Sequence, residues 1–251
     1  MKVEQYTKYY VAYLDILGFK NLIDKTNSTC QSILKIYKSF ELLHRLHKET
    51  FNSKQVDKQV NMKVMSDSIC FYIEYNRPNA LSSLISYCTL FQYNLLTLPT
   101  SFLPQPIFIR GGIALGEMFI EDDIVFGPAL IKAYLLEKNN AQFPRIIILR
   151  ETLEHGKERA SADDISLLEK LTFRDDDAFY TLDYFALFYL LENDEKNIKN
   201  VKAEISQYLD TTEDESIRKK YLYVDKKLRD AEKKYAKISE GADQCLTKPQ
   251  Q

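Results

Sequence analysis

Two aspartates stand in apolar surroundings where a carboxylate is costly unless something compensates it. Asp15 lies within Val-Ala-Tyr-Leu-Asp-Ile-Leu-Gly-Phe, and Asp67 within Lys-Val-Met-Ser-Asp-Ser-Ile-Cys-Phe. A divalent metal compensates such charges, because hard cations take oxygen ligands. Taken singly, Asp15 reads equally well as the cap of a helix starting near Phe19, and Asp67 as a turn-forming residue. Together, each following a buried strand, they favour metal. Glycine use points the same way. Five of the seven glycines (Gly18, Gly111, Gly112, Gly116, Gly127) fall in three short segments, marking tight backbone or close approach of a ligand.

Other chemistry is less well supplied. His44 and His47 are three apart on an expected helix without a third ligand nearby, which reads as a solvated face. His155 lies in a polar stretch without evident partners. Asp175-Asp176-Asp177 reads as a solvated turn. No Ser/His/Asp set and no phosphate-binding glycine loop is visible.

The elements that must position the acids follow from periodicity. Tyr9–Leu17 reads as a buried strand ended by Gly18, and residues 31–48 as a helical stripe. Val60–Met65 and Ile69–Tyr75 read as strands joined through Ser66-Asp67-Ser68. Ala80–Leu98 is an apolar helix. Residues 107–113 and 118–120 read as a second hairpin, Gly127-Pro128 opens a helix to about Glu137, and Arg145–Leu149 is a short buried strand. The expected class is α/β (α+β), a ferredoxin-type sandwich of helices on a mixed sheet. Residues 1–150 form the expected catalytic domain, and 151–251 a mixed, then helical, extension.

In that extension, residues 161–170 suggest a helix and 178–188 a buried aromatic segment. A long helix follows Thr212, which with Glu215 makes a capping-box pattern. Its apolar positions, from Ile217 through Tyr221, Val224, Leu228, Ala231 and Tyr235 to Ile238, alternate four and three. That spacing suits a dimeric coiled coil or a helix packed on its own domain, and the weak seam residues Tyr and Ala favour the second.

Bulk composition sets limits. The chain has 251 residues, 45% of them hydrophobic, and a formal net charge of -2. A phosphate-neutralising nucleic-acid binder would show a basic surplus, so stable nucleic-acid binding is not expected. Polymerase palms share a two-acid sheet, and the balanced charge counts against that alternative. No run reaches the roughly 18 apolar residues of a membrane span, and the first eight residues carry no signal-like apolar core. The four cysteines (Cys30, Cys70, Cys88, Cys245) show no paired spacing. The expectation is a cytoplasmic protein without disulfides or structural zinc.

At this point four motifs in order resemble one family. Asp15-Ile16-Leu17-Gly18-Phe19 resembles the D-I-x-G-F motif of class III adenylate and guanylate cyclases. Lys63-Val64-Met65-Ser66-Asp67 resembles their K/E-x-x-G-D strand end, and Arg110-Gly111-Gly112-Ile113-Ala114-Leu115-Gly116 their R-x-G-I-x-x-G segment. Gly127 through Glu137 matches their G-x-x-V-N-x-A-x-R-L-E helix in length and ends. The segments Val-Ala-Tyr-Leu-Asp-Ile-Leu-Gly-Phe and Phe-Gly-Pro-Ala-Leu-Ile-Lys-Ala-Tyr-Leu-Leu-Glu look closest to the bacterial pyrimidine cyclases of Pycsar anti-phage defence.

The resemblance implies a homodimer converting UTP or CTP to a 3′,5′-cyclic nucleotide and pyrophosphate. It implies two Mn²⁺ or Mg²⁺ ions held by Asp15, Asp67 and the carbonyl of Ile16, with Gly18 and Phe19 at the triphosphate and Lys63 at the base. The family's Asn and Arg fall on Ile131 and Leu135, so the missing charge must come from Arg110, Lys132 or Lys138, or the domain is a silent dimerisation or nucleotide-binding module. The second base-reading position falls on Ile124, which can neither donate nor accept.

Overall fold

The structure, a computed structural model, describes residues 6–19, 41, 45, 60–97, 107–122, 124–191 and 195–246, with side chains to 236. Apart from Glu41 and Arg45, the expected helix at 31–48, with His44 and His47, lies outside the described residues, as do the proline stretch 99–106, Cys30 and the Cys245 side chain.

Short runs of apolar and aromatic residues produce a mixed sheet. Strand β1 (Thr7–Ile16) lies in its interior, flanked by β3 (Ser68–Glu74) and β4 (Ile109–Glu121), both antiparallel. Beyond β3 is β2 (Asn61–Met65). On the other side follow β6 (Ile146–Ile148), β8 (Tyr180–Leu182) and β7 (Thr172–Arg174), with β6 parallel to β4. The order is β2-β3-β1-β4-β6-β8-β7, and β5 (Ile124–Phe126) pairs with the far end of β4. Mixed α/β architecture is therefore as expected.

Helices follow in chain order. They are α1 (Ala80–Thr97), α2 (Pro128–Asn140), α3 (Arg150–Glu158), α4 (Ala162–Leu171), α5 (Leu187–Leu190), α6 (Glu195–Thr211) and α7 (Glu215–Leu246).

Side-chain alternation on β1 assigns the two faces of the sheet. Tyr10, Ala12, Leu14 and Ile16 enter the main core, which also takes Leu84, Phe91, Leu168, Val201 and Leu228 from four of the helices and Phe185 from the turn at Tyr184–Ala186. Val11 points the other way, into a smaller cluster with Cys70, Tyr72, Ala114, Met118, Ala129 and Ala133 beneath α2, against which Tyr9 and Tyr13 also pack. The sheet and core run across residue 150 without interruption, because β8 pairs with β6 and α7 packs on the main core.

Four local expectations need correction. Residues 109–121 are one strand, not a hairpin. Its glycines are sites of close approach: a Cβ on Gly112 would lie 2.3 Å from the Ala133 carbonyl oxygen of α2. The actual hairpin turns at Asp122, between β4 and β5. The α7 cap is Asp214, whose Oδ1 accepts the Ser216 and Ile217 N–H groups, rather than Thr212. The heptad face of α7 (Tyr221, Val224, Leu228, Ala231, Tyr235) needs no correction, being buried in the chain's own core as its weak seam residues favour.

The remaining two concern polar residues. His155 has partners: its Nδ1 lies 2.6 Å from the Tyr10 hydroxyl, and its ring meets Tyr10 and Tyr75. Asp175 is not a solvated turn residue but a buried acid bound by Arg145, Lys227 and Tyr223. Cys70 and Cys88 are free and buried.

Candidate active site

The acids meet at the C-terminal end of β1. Register places Asp15 opposite Ser68 on one side and Arg110 on the other. Asp67 occupies the β2–β3 turn, which Ser66 opens with φ 58, in the left-handed region. The two acid-bearing segments are tied directly, since the Ile16 N–H donates to the Asp67 carbonyl at 3.0 Å. The next amide, Leu17 N–H, donates to the Phe108 carbonyl at 2.9 Å, and Gly18 turns the chain at φ 81 before Phe19. The β1–β4 strand pair and the β2–β3 turn thus fix three backbone segments around one point.

Arg110 enters that point from β4, its Nε donating to Asp15 Oδ2 at 2.8 Å. The same nitrogen lies 2.8 Å from Glu137 Oε1, which α2 delivers from above the sheet. Two carboxylates, Asp15 and Glu137, therefore flank one guanidinium, and Asp67 is near enough to act electrostatically on both. Burial pushes Asp15 above the usual carboxylate range; Arg110 pulls it back, Asp67 pushes it up and Lys220 of α7 pulls it down. Burial raises Glu137 as well, with Arg110 opposing and both aspartates reinforcing. The local excess of negative charge is what a cation would relieve. Tyr13, on the same face, shares a 2.6 Å hydrogen bond with Ser68 and meets the Tyr134 ring edge-on.

Lys63 lies on this face too, opposite Cys70, and its Nζ donates to the Asp122 carbonyl at the β4–β5 turn, 2.6 Å away. That contact brings Lys63 to the hairpin carrying Ile124, whose side chain is exposed. Lys132 does not join the acids. Its Nζ is 2.9 Å from Glu151 Oε1 in an exposed pair, since its position on α2 faces α3 rather than the strand ends. Lys138 instead stands over the Tyr134 ring, 5.5 Å from its centroid.

Two site residues were missed by residue-by-residue reading. Glu137 was visible only as the last letter of the helix motif. Lys220 carried no local signal, because 205 positions of sequence separate it from Asp15 (220 less 15). No group of three or more His, Cys, Asp or Glu side chains placed to hold a metal ion occurs among the described residues. No helix among them is long and apolar enough to cross a membrane.

No family model and no curated protein matches the chain. Solved structures similar to it include the adenylyl cyclase CyaB from P. aeruginosa, at 16% identity over 71% of this chain and 94% of that one, TM-score 0.42. The catalytic core of a rhodopsin-guanylyl cyclase with converted specificity, in complex with ATPalphaS, matches at 15% identity over 62% and 83%, TM-score 0.46. A bacterial light-regulated adenylyl cyclase matches at 14% over 79% and 100%, TM-score 0.44. Likenesses of this strength assign the chain no activity.

Proposed function

We propose that the chain is a metal-dependent nucleotidyl cyclase that converts UTP or CTP to a 3′,5′-cyclic nucleotide and pyrophosphate. The observation that carries this reading is the convergence of Asp15, Asp67, Arg110 and Glu137 where β1, the β2–β3 turn, β4 and α2 meet. Surplus carboxylate at a half-buried point suits divalent cations. Asp15, Asp67 and the Ile16 carbonyl would hold Mn²⁺ or Mg²⁺, which when bound acidifies the ribose 3′-hydroxyl and neutralises phosphate charge.

The protein groups divide the remaining work. Arg110, released from Asp15, offers N–H donors to the reacting phosphate while Glu137 keeps its guanidinium aligned. The turn at Gly18 and Phe19 presents backbone N–H groups to the triphosphate. Lys63 Nζ supplies one donor suited to the exocyclic carbonyl of a pyrimidine. Ile124 beside it offers no polar contact, which disfavours the extra edges of a purine.

A homodimer is supported by exposed apolar residues at the end of β2 (Met65), on the β4–β5 hairpin (Ile124, Phe126) and on α2 (Ile131, Tyr134, Leu135). A role in anti-phage signalling rests on the resemblance to Pycsar cyclases. The second reading, a catalytically silent dimerisation or nucleotide-binding module, is favoured by the same surface. Ile131 and Leu135 are 58% and 44% exposed where purine cyclases carry Asn and Arg.

Product analysis separates the two. Purified protein is incubated with each NTP and Mn²⁺, with Asp67→Asn as control. A cyclic pyrimidine nucleotide from wild type alone supports the enzyme. No product from any NTP, in a folded dimer, moves the assignment to the silent module.

A further inference from the structure

The last helix carries three partly buried lysines, Lys220, Lys227 and Lys234. They are seven residues apart, so they share one edge of α7, about 10 Å from one to the next. Two of them serve buried acids. Lys234 Nζ donates to Asp183 at 3.1 Å and Lys227 Nζ to Asp175 at 2.6 Å, and those carboxylate side chains are 8% and 3% exposed. Lys220 has no hydrogen bond or ion pair among the described residues. The acid on which it acts, through space, is Asp15.

The packing of α7 brings so distant a residue to the end of β1. Tyr221, next to Lys220, is buried and sets its ring edge-on against Phe108, with 5.6 Å between centroids. The Phe108 carbonyl accepts the Leu17 N–H at 2.9 Å, one residue before the Gly18 turn. The start of α7 is thereby anchored beside the segment Asp15–Phe19. Because α7 packs on the main core and α2 on the smaller cluster, the helices bearing Lys220 and Glu137 reach the strand end from opposite faces of the sheet. The lysines of α2 are engaged elsewhere, Lys132 with Glu151 and Lys138 over the Tyr134 ring.

We propose that Lys220 is a phosphate-binding residue of the site, its ammonium held for the pyrophosphate end of the nucleoside triphosphate; this rests on the cyclase reading above. Charge gives the reason. Divalent cations at Asp15 repel a neighbouring ammonium, and an anion that reaches both relieves the repulsion. Lys220 therefore favours metal together with polyphosphate over metal alone. A lysine suits the task, as a point charge on a flexible stem that can meet a phosphate oxygen. The region beyond residue 150 then supplies a cation that Leu135 cannot.

The test uses full-length protein, Mn²⁺ and inorganic tripolyphosphate, which has the phosphates without ribose or base, with affinity read by calorimetry. Wild type binds Mn²⁺–tripolyphosphate. Lys220→Gln, which breaks no ion pair among the described residues and so folds, binds it about tenfold more weakly, the size of one charge-assisted hydrogen bond. Lys220→Arg recovers most of that loss. Mn²⁺ alone binds Lys220→Gln at least as tightly as wild type, whereas a displaced helix would weaken both ligands. Lys219→Gln removes the same charge from a side chain 66% exposed and paired with Glu215, and leaves affinity unchanged. The proposal is overturned by a wild type that does not bind tripolyphosphate, by equal affinity in Lys220→Gln, or by an equal loss in Lys219→Gln. Failure of the cyclase reading shows separately: binding that depends on Lys220, with no cyclic product from any NTP, keeps Lys220 and leaves a silent nucleotide binder.

Discussion

Arg110 Nε stands 2.8 Å from Glu137 Oε1, the same distance that separates it from Asp15 Oδ2. Two acids thus share one cation: Asp15 takes the hydrogen bond, while Glu137 Oε1, on a side chain only 4% exposed, sits close to the charge without a hydrogen bond of its own. Glu137 keeps the guanidinium in place while leaving Asp15 available to a cation. Glu137→Gln hands Arg110 to Asp15 alone. We expect Mn²⁺ to bind this variant about tenfold more weakly, the size of one charge-assisted contact. Calorimetric titration of Mn²⁺ reads this without any need for turnover, and an unchanged affinity removes Glu137 from the site.

Ser66 pays for the position of Asp67 with a left-handed backbone, φ 58. That conformation costs a non-glycine residue about 1–2 kcal/mol, partly offset by the extra chain entropy a glycine loses on folding. Ser66→Gly should therefore stabilise the protein by up to about 1 kcal/mol, and Ser66→Val should destabilise it. Urea denaturation of the pair gives the sign. Stabilisation by valine would mean the turn is not held as described.

Gly112 is where α2 touches the sheet. A methyl group there meets the Ala133 carbonyl oxygen at 2.3 Å and Leu136 Cβ at 2.9 Å, so the helix must lift and take Glu137 with it. Gly112→Ala should cost about 2–3 kcal/mol and lower Tm by roughly 5–10 °C. Calorimetry measures the loss. A variant of wild-type stability would show that the contact relaxes freely.

Asp175 gives the acid limb of stability. Burial alone would raise its pKa, but hydrogen bonds from Lys227 and Tyr223 outweigh burial and hold it at about 2. Because this folded value lies below the unfolded one, the carboxylate contributes its full share above pH 4 and loses it as pH falls toward 2. The shift corresponds to about 2–3 kcal/mol. Asp175→Asn should be less stable than wild type at pH 7, with the difference shrinking between pH 4 and pH 2. A difference independent of pH in that range would contradict the assignment.

The parts of the fold legible in the sequence were those built from local pattern. Strand β1, the β2–β3 turn, α1 and α2 announce themselves through apolar runs, a polar turn and a proline after Gly127. Asp15 and Asp67 were legible because carboxylates amid branched aliphatics need a reason. What stayed hidden depends on partners distant in sequence. The glycines of β4 look like turn residues until α2 is laid across them, and Asp175 looks solvated until Lys227, 52 positions away, is brought beside it. Strands β7 and β8 have three residues each, too few to show a period.

The unequal covering of the sheet's two sides separates, within β1 itself, the residues that keep the protein folded from those that do its work. Tyr10, Ala12, Leu14 and Ile16 face the helices of the main core, whereas Tyr9, Val11, Tyr13 and Asp15 face α2 and the acids. A saturation scan of this strand would therefore alternate in phenotype from one position to the next. Substitutions at even numbers would register as missing protein, and those at odd numbers, most sharply toward Asp15, as protein that is present and inert.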